Sequence, residues 1–223
     1  MTRARLFWRS TIGKKIVMAL TGLVLVGFVV AHMLGNLQAL PWLGGEEKLN
    51  AYARFLQGLG GGLWALRIVL LVSLVLHVTA AYQLTRLDLG ARPRRYVRKE
   101  PQASTVAART IRWGGVFLLL FIVLHLANFT FGVINPNRPF VHAEVYDNVV
   151  AAYRRWYFVV LYLAAMVALG LHLYHGVWGM LRTLGLEHPG YARGLRTVAT
   201  VLAVIVSVGF AAIPIAVAVR LVR

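Results

Sequence analysis

The histidines of this sequence are its candidate ligands for a metal or cofactor, because most of them lie inside long apolar segments. His172 and His175 are three residues apart inside a long apolar segment, and three earlier apolar segments carry one histidine each, namely His32, His77 and His125. An ionisable side chain at membrane depth costs free energy, so it is a functional-site hypothesis by default. One such histidine is more often a hydrogen-bonded packing residue, but a histidine on each of four segments indicates a set of ligands. His142 and His188 fall between the segments.

The rest of the composition leaves imidazole as the available metal ligand. The chain has no cysteine, which excludes disulfides, thiolate metal sites and iron–sulfur clusters held by this chain. No aspartate or glutamate lies within any of the apolar segments. Zinc and copper sites often add carboxylates, and proton-coupled transporters usually carry acids within the membrane. Both classes are therefore disfavoured.

The elements that must position these histidines are membrane-spanning helices. Of the 223 residues, 59% are hydrophobic and 14% charged, and the mean hydropathy is +0.69. This composition predicts an all-α integral membrane protein, a single domain over residues 1–223. The apolar segments predict five transmembrane helices, at residues 16–40, 61–84, 111–134, 157–181 and 195–219. The first is not a cleaved signal peptide, because its apolar core is too long.

The distribution of charge predicts the orientation of this bundle. The formal net charge is +17, and Lys and Arg gather at the N-terminus and in residues 86–112 and 182–196. By the positive-inside rule these regions lie in the cytoplasm, so the N-terminus is cytoplasmic and the C-terminus outside. Arg220 and Arg223 at the outer C-terminus run mildly against the rule. Because the basic residues follow this topological pattern, nucleic-acid binding is not expected.

Counting residues from the basic loops sorts the histidines by depth. His32 is 18 residues after Lys14 and His125 is 13 after Arg112, which places both in the outer half of the membrane at about 1.5 Å per residue. His77 is nine residues before Arg86, and His172 is ten before Arg182, which places both in the inner half. His175, one turn later, is the alternative to His172. We call His32 and His125 the outer pair, and His77 and His172 the inner pair.

Two histidines from different helices at one depth suit a haem. Two axial imidazoles on opposite faces of a porphyrin hold a six-coordinate haem b with no open position for oxygen. The sequence thus predicts two haem b groups, one above the other across the membrane. For their propionates we consider Arg182 and Arg86 at the inner haem and Arg67 at the outer one; snorkelling to the lipid headgroups is the alternative for each.

Several motifs resemble the cytochrome b558 family of succinate dehydrogenase membrane anchors. They cover nearly the whole chain, in order Ser10-Thr11-Ile12-Gly13-Lys14-Lys15, Ala19-Leu20-Thr21-Gly22-Leu23, His32-Met33-Leu34-Gly35-Asn36-Leu37, Ala91-Arg92-Pro93 with Arg95-Tyr96, Ala103-Ser104-Thr105, Leu171-His172-Leu173-Tyr174-His175-Gly176-Val177-Trp178, and Thr183-Leu184-Gly185-Leu186 before His188-Pro189.

The resemblance implies a five-helix anchor in a bacterial plasma membrane, bound on its cytoplasmic side to an iron–sulfur subunit and a flavoprotein subunit. In that family, electrons from succinate pass from the flavin through iron–sulfur clusters to haem b and quinone, here expected to be menaquinone; some relatives reduce fumarate instead. The axial positions of the family fall on His32 and His125 and on His77 and His172. The catalytic flavin chemistry belongs to a partner subunit, and the basic residues 92–99 are a candidate docking surface. The resemblance also allows a higher oligomer of the complex.

The sequence departs from the family at one position of interest. Some relatives with two haems carry a glutamate two residues before the fourth-helix ligand, where it is associated with proton movement; here that residue is Gly170. His175 is expected to support the surroundings of the inner haem. The alternatives to a haem-bearing subunit are an anchor that has lost one or both haems and, from another class, an unrelated transporter or metal-handling protein.

Overall fold

The computed structural model describes residues 2–91, 105–137, 139–186 and 188–223, and the regular elements in these ranges are helical. The candidate docking residues 92–99 lie outside them. The helices are α1 (Arg3–Arg9), α2 (Thr11–Leu37), α3 (Gly45–Gly58), α4 (Gly61–Gly90), α5 (Val106–Phe129), α6 (Val145–Tyr153), α7 (Trp156–Thr183) and α8 (Ala192–Ala218), with a short 3-10 turn at Pro41–Leu43. The predicted all-α class is confirmed in this part of the chain.

Five of these helices are long and apolar enough to cross a membrane, as the sequence predicts. They are α2, α4, α5, α7 and α8, of 24 to 30 residues each. At about 1.5 Å per residue the shortest is about 36 Å long, more than a hydrocarbon core of about 30 Å. Many of their large apolar side chains face outward, above all on α4.

The bounds of three spans differ from the prediction by five residues or more: α2 at its start, α4 at its end, which lies at Gly90 rather than 84, and α5 at both ends. Capping residues set the starts of α2 and α5. α2 begins at Thr11, since Ser10 Oγ accepts a hydrogen bond from the Gly13 N–H at 2.9 Å. α5 runs over Val106–Phe129 rather than 111–134: Thr105 Oγ1 caps its start at 3.1 Å from the Ala108 N–H. Beyond its end the backbone turns, with Gly132 at φ 66°.

Two short helices, which the sequence did not predict, cover one end of the bundle. We call this end, where α3 and α6 pack on each other, the capped end, and the opposite one the uncapped end. The Tyr146 N–H donates to Asn50 Oδ1 at 3.0 Å, and Gln57 Nε2 donates to the His142 carbonyl at 3.0 Å. A core cluster that includes Leu49, Val150 and Val222 joins the cap to the ends of the long helices.

The long helices pack so that α2 and α7 form the centre. α4 packs on α2, α5 and α8 pack on α7, and α2 also contacts α7 and α8. The backbones of α4 and α7, and those of α2 and α5, are too far apart to pack extensively. An exposed ion pair between Arg112 and Asp88 joins α5 to α4 near the uncapped end.

We predict that Asn50→Ala destabilises the cap. The substitution leaves the buried Tyr146 N–H without its acceptor, which costs about 1–3 kcal/mol. Thermal unfolding of the purified protein in detergent should show a lower midpoint. Gln57→Ala is the matched control, because its hydrogen bond between the same two regions is exposed. Equal losses in both variants would contradict this account of the cap.

Candidate functional site

The outer pair meets between α2 and α5 near the capped end. The ring centroids of His32 and His125 are 5.8 Å apart, with the planes at 84°. Phe28 stacks on His32 at 5.3 Å, and Phe210 of α8 lies 5.6 Å from the same ring. Phe121 and Phe129 flank His125, with centroids 5.9 and 5.5 Å away. Two imidazoles from helices that do not pack extensively thus face each other inside an aromatic surround.

Polar neighbours orient the outer pair. His125 Nδ1 lies 3.3 Å from the Tyr162 hydroxyl, and His32 Nε2 lies 3.2 Å from Asn36 Nδ2, one turn along α2. If His32 is to bind a metal through Nε2, the Asn36 amide must turn away from that nitrogen.

Tyr153 packs on Tyr162 beside the outer pair, with ring centroids 5.1 Å apart. Burial, and secondly the neighbouring Tyr162, raise the pKa of Tyr153 well above its usual range, so its hydroxyl stays neutral.

The inner pair meets between α4 and α7, nearer the uncapped end. The ring centroids of His77 and His172 are 6.3 Å apart, with the planes at 56°. His77 Nδ1 lies 3.1 Å from the Met18 carbonyl, and a carbonyl can only accept, so Nδ1 carries the proton. The Nε2 of His77 therefore keeps its lone pair for a ligand. His172 Nδ1 is buried with no hydrogen-bond partner within the described ranges.

Both separations fit two imidazoles bound to one metal ion. A metal–nitrogen bond is about 2.0 Å, and an imidazole centre lies about 1 Å beyond its nitrogen, so two axial rings have centroids about 6 Å apart. In the described part of the chain no group of three or more histidine and acidic side chains could hold a metal. A haem supplies four equatorial nitrogens, so it needs only the two imidazoles that each pair offers. The residues present fit this group.

His175 is not part of the inner pair. The ring of His77 contacts that of His172, and no ring contact joins His175 to either within the described ranges. His175 is partly buried one turn nearer the uncapped end. The structure brings together the histidines that the depth count pairs, although their role as haem ligands stays a prediction.

Each of the three arginines considered as propionate partners contacts an aromatic side chain of its own helix. The Arg67 guanidinium is 5.1 Å from the Trp64 ring, and Arg86 donates to the Tyr82 hydroxyl at 3.4 Å. The Arg182 guanidinium is 4.9 Å from the Trp178 ring, which Arg196 of α8 also contacts, at 4.5 Å. These contacts are typical of arginines that snorkel to an interface. A role toward propionates stays a prediction.

Gly170 faces α8 rather than either histidine pair. A Cβ built at this position would lie 2.6 Å from Ser207 Oγ. In this packing, a side chain at residue 170 would require the Ser207 hydroxyl to move.

Sequence reasoning missed Tyr162 and the buried asparagines beside the outer pair. Asn128 is 0% exposed and donates to the Tyr162 hydroxyl at 3.4 Å, and Asn135 donates to Asn128 at 2.9 Å. Asn128 follows His125 by three residues, so the helical period places both on one face of α5. That spacing is the signal that could have indicated Asn128. No comparable signal indicates Tyr162.

We predict that Gly22→Leu disrupts the inner pair selectively. A Cβ at Gly22 would lie 3.4 Å from His77 Cε1, so a larger side chain must displace the imidazole. If the inner pair binds a haem as the sequence predicts, the purified variant should lose that haem component from its reduced-minus-oxidised spectrum. Gly27→Leu in the same helix is the control, since nothing lies within 4 Å of its Cβ position. Loss of the component in both variants would contradict this account.

His175 is the remaining histidine of α7, and His172 is the one whose ring contacts His77. If each pair binds a haem, we predict that His175→Ala retains both haems and that His172→Ala loses the inner one. Haem content per chain of the two purified variants is the measurement. A haem loss caused by His175→Ala alone would show that the ligand assignment is wrong.

No family model, curated protein or solved structure matched this chain in our comparisons. The family resemblance therefore rests on the sequence motifs, and the haem hypothesis on those motifs and the two histidine pairs.

Proposed function

We propose that this chain is the membrane-anchor cytochrome b subunit of a succinate:quinone oxidoreductase and holds two haem b groups. The observation that carries the proposal is the pair of facing imidazoles at each of two levels, with centroids 5.8 and 6.3 Å apart. Each pair joins two helices that do not otherwise pack extensively. The family resemblance supports the same assignment.

The two levels are close enough to act in series. A Cβ built at Gly22 of α2 would lie 3.4 Å from His77 Cε1, so this part of α2 is level with the inner pair, and His32 follows ten residues later in the same helix. At about 1.5 Å per residue the pairs are about 15 Å apart along the axis. Such an arrangement suits electron transfer from one side of the membrane toward the other.

The side chains around each pair would hold the group and keep water out. A haem b between two imidazoles supplies one-electron transfer without an open position for oxygen. The backbone carbonyl of Met18 fixes the tautomer of His77, as partners of ligating histidines usually do. The Phe28 and Phe210 rings exclude water from His32.

In the proposed orientation the uncapped end faces the cytoplasm of a bacterial cell. Arg86, Arg109, Arg182, Arg193 and Arg196 lie at this end of the sequence-defined spans, which agrees with the positive-inside rule. An iron–sulfur subunit and a flavoprotein subunit would dock there. Electrons from succinate would then reach the inner haem first and membrane quinone, of the menaquinone type, afterwards.

We predict that the purified, dithionite-reduced protein has b-type absorption bands and about two haems per chain in a pyridine haemochrome assay. His32→Ala should remove only the outer component and His77→Ala only the inner one, because each ligand serves a different pair. A protein that folds and assembles without b-type bands would be a structural anchor that has lost its haems. Loss of the same spectral component in both variants would refute the pairing.

A further inference from the structure

A chain of buried polar side chains runs from the outer pair to the capped end. His125, Tyr162, Asn128 and Asn135 follow one another with contacts of 3.3, 3.4 and 2.9 Å. Tyr162 is 4% exposed and the two asparagines 0% and 1%. Polar groups buried this deeply cost free energy unless they are satisfied, so the network must have a defined arrangement of donors and acceptors.

Two backbone groups fix the direction of the hydrogen bonds among the asparagines. The Asn137 N–H donates to Asn135 Oδ1 at 2.9 Å, and the Asn148 carbonyl accepts from Asn135 Nδ2 at 3.1 Å. A backbone N–H only donates and a carbonyl only accepts, so the Asn135 amide has a single orientation. Its Nδ2 also donates to Asn128 Oδ1, which leaves Asn128 Nδ2 to donate to the Tyr162 hydroxyl.

One hydrogen bond then joins Tyr162 to His125, and its direction depends on which ring nitrogen of His125 carries the proton. The tyrosine oxygen accepts from Asn128, and its other polar neighbour in the part of the chain described is His125 Nδ1. Either the hydroxyl donates to Nδ1 or it accepts from an Nδ1–H. When Nε2 of a neutral imidazole binds a metal, the proton lies on Nδ1, so the Tyr162 oxygen accepts from Nδ1–H as well as from Asn128. The phenol's own hydrogen then has no hydrogen-bond acceptor among the described residues.

Ring packing keeps the hydroxyl in this place. Phe121 and Tyr153 contact the Tyr162 ring edge to face, with centroids 4.8 and 5.1 Å away. The phenol therefore cannot swing away from His125 without disturbing a packed aromatic cluster.

We propose that Tyr162 is a positioning residue that lowers the reduction potential of the outer haem by accepting a hydrogen bond from His125 Nδ1. The inference rests on the proposed function. An acceptor on Nδ1–H gives the imidazole more negative charge, which favours oxidised over reduced iron. Asn128 opposes this effect, because a second donor to the same oxygen weakens it as an acceptor. At the inner pair His77 Nδ1 donates to the Met18 backbone carbonyl at 3.1 Å, which no side-chain substitution removes, and the Thr21 hydroxyl lies 3.3 Å from the same nitrogen.

Potentiometric titration of the purified complex, followed by the reduced b-type bands, tests the proposal. Tyr162→Phe should shift the ratio of reduced to oxidised outer haem by about three- to tenfold toward the reduced form, a rise of about 30–60 mV at 59 mV per tenfold for one electron. The inner potential should not move. Asn128→Leu should lower the outer potential, the opposite sign, because the tyrosine oxygen is then free to accept from Nδ1–H alone.

Tyr153→Phe is the matched control. It removes a hydroxyl from the same aromatic cluster, and in the described part of the chain no hydrogen bond joins that hydroxyl to a histidine. Two titrating haems with no outer shift in Tyr162→Phe would overturn this inference alone, as would an equal shift in Tyr153→Phe or the same sign in Asn128→Leu. Absence of both haems from the wild-type complex would overturn the proposed function, and this inference with it.

Discussion

Every polar group at the depth of a hydrocarbon core needs a partner, because no water is there to supply one. Three of the four paired histidines have a polar neighbour: Asn36 for His32, the Met18 carbonyl for His77 and Tyr162 for His125. The fourth, His172, has a buried Nδ1 without a hydrogen-bond partner in the described part of the chain. Two such pairs at two levels suit a pair of planar groups that each need two axial ligands.

The histidine pairing could be predicted from the sequence because helix rise is nearly constant. Counting 18 residues from Lys14 to His32 and 13 from Arg112 to His125 is enough to place both in one half of a span, and the structure brings their rings together. The five long helices followed from apolar length in the same way. The third span was shifted by several residues, since apolar residues continue to Ile134 although Gly132 and the asparagines beyond it turn the chain.

The cap and the polar network could not be predicted, because neither depends on a local pattern. α3 is stabilised by its contacts with α6, nearly 100 residues away, of which the Asn50–Tyr146 hydrogen bond is one. Tyr162 becomes relevant to His125 only when α5 and α7 pack side by side. The positions of the arginine side chains near the ends of the spans could not be predicted either. Arg67 and Arg182 lie on tryptophan rings one turn away on their own helices, and the charge of the loops does not reveal such contacts.

Electron paramagnetic resonance of the oxidised, purified protein tests the central claim most directly, because it reports the axial ligands of ferric haem. Our account predicts two low-spin signals, one for each histidine pair. The signal that His32→Ala removes should be the more anisotropic of the two. The reason is that the imidazole planes of the outer pair are nearer to perpendicular, at 84°, than those of the inner pair, at 56°. A high-spin signal at full haem content, or the absence of any haem signal, would contradict the assignment of two bis-histidine sites.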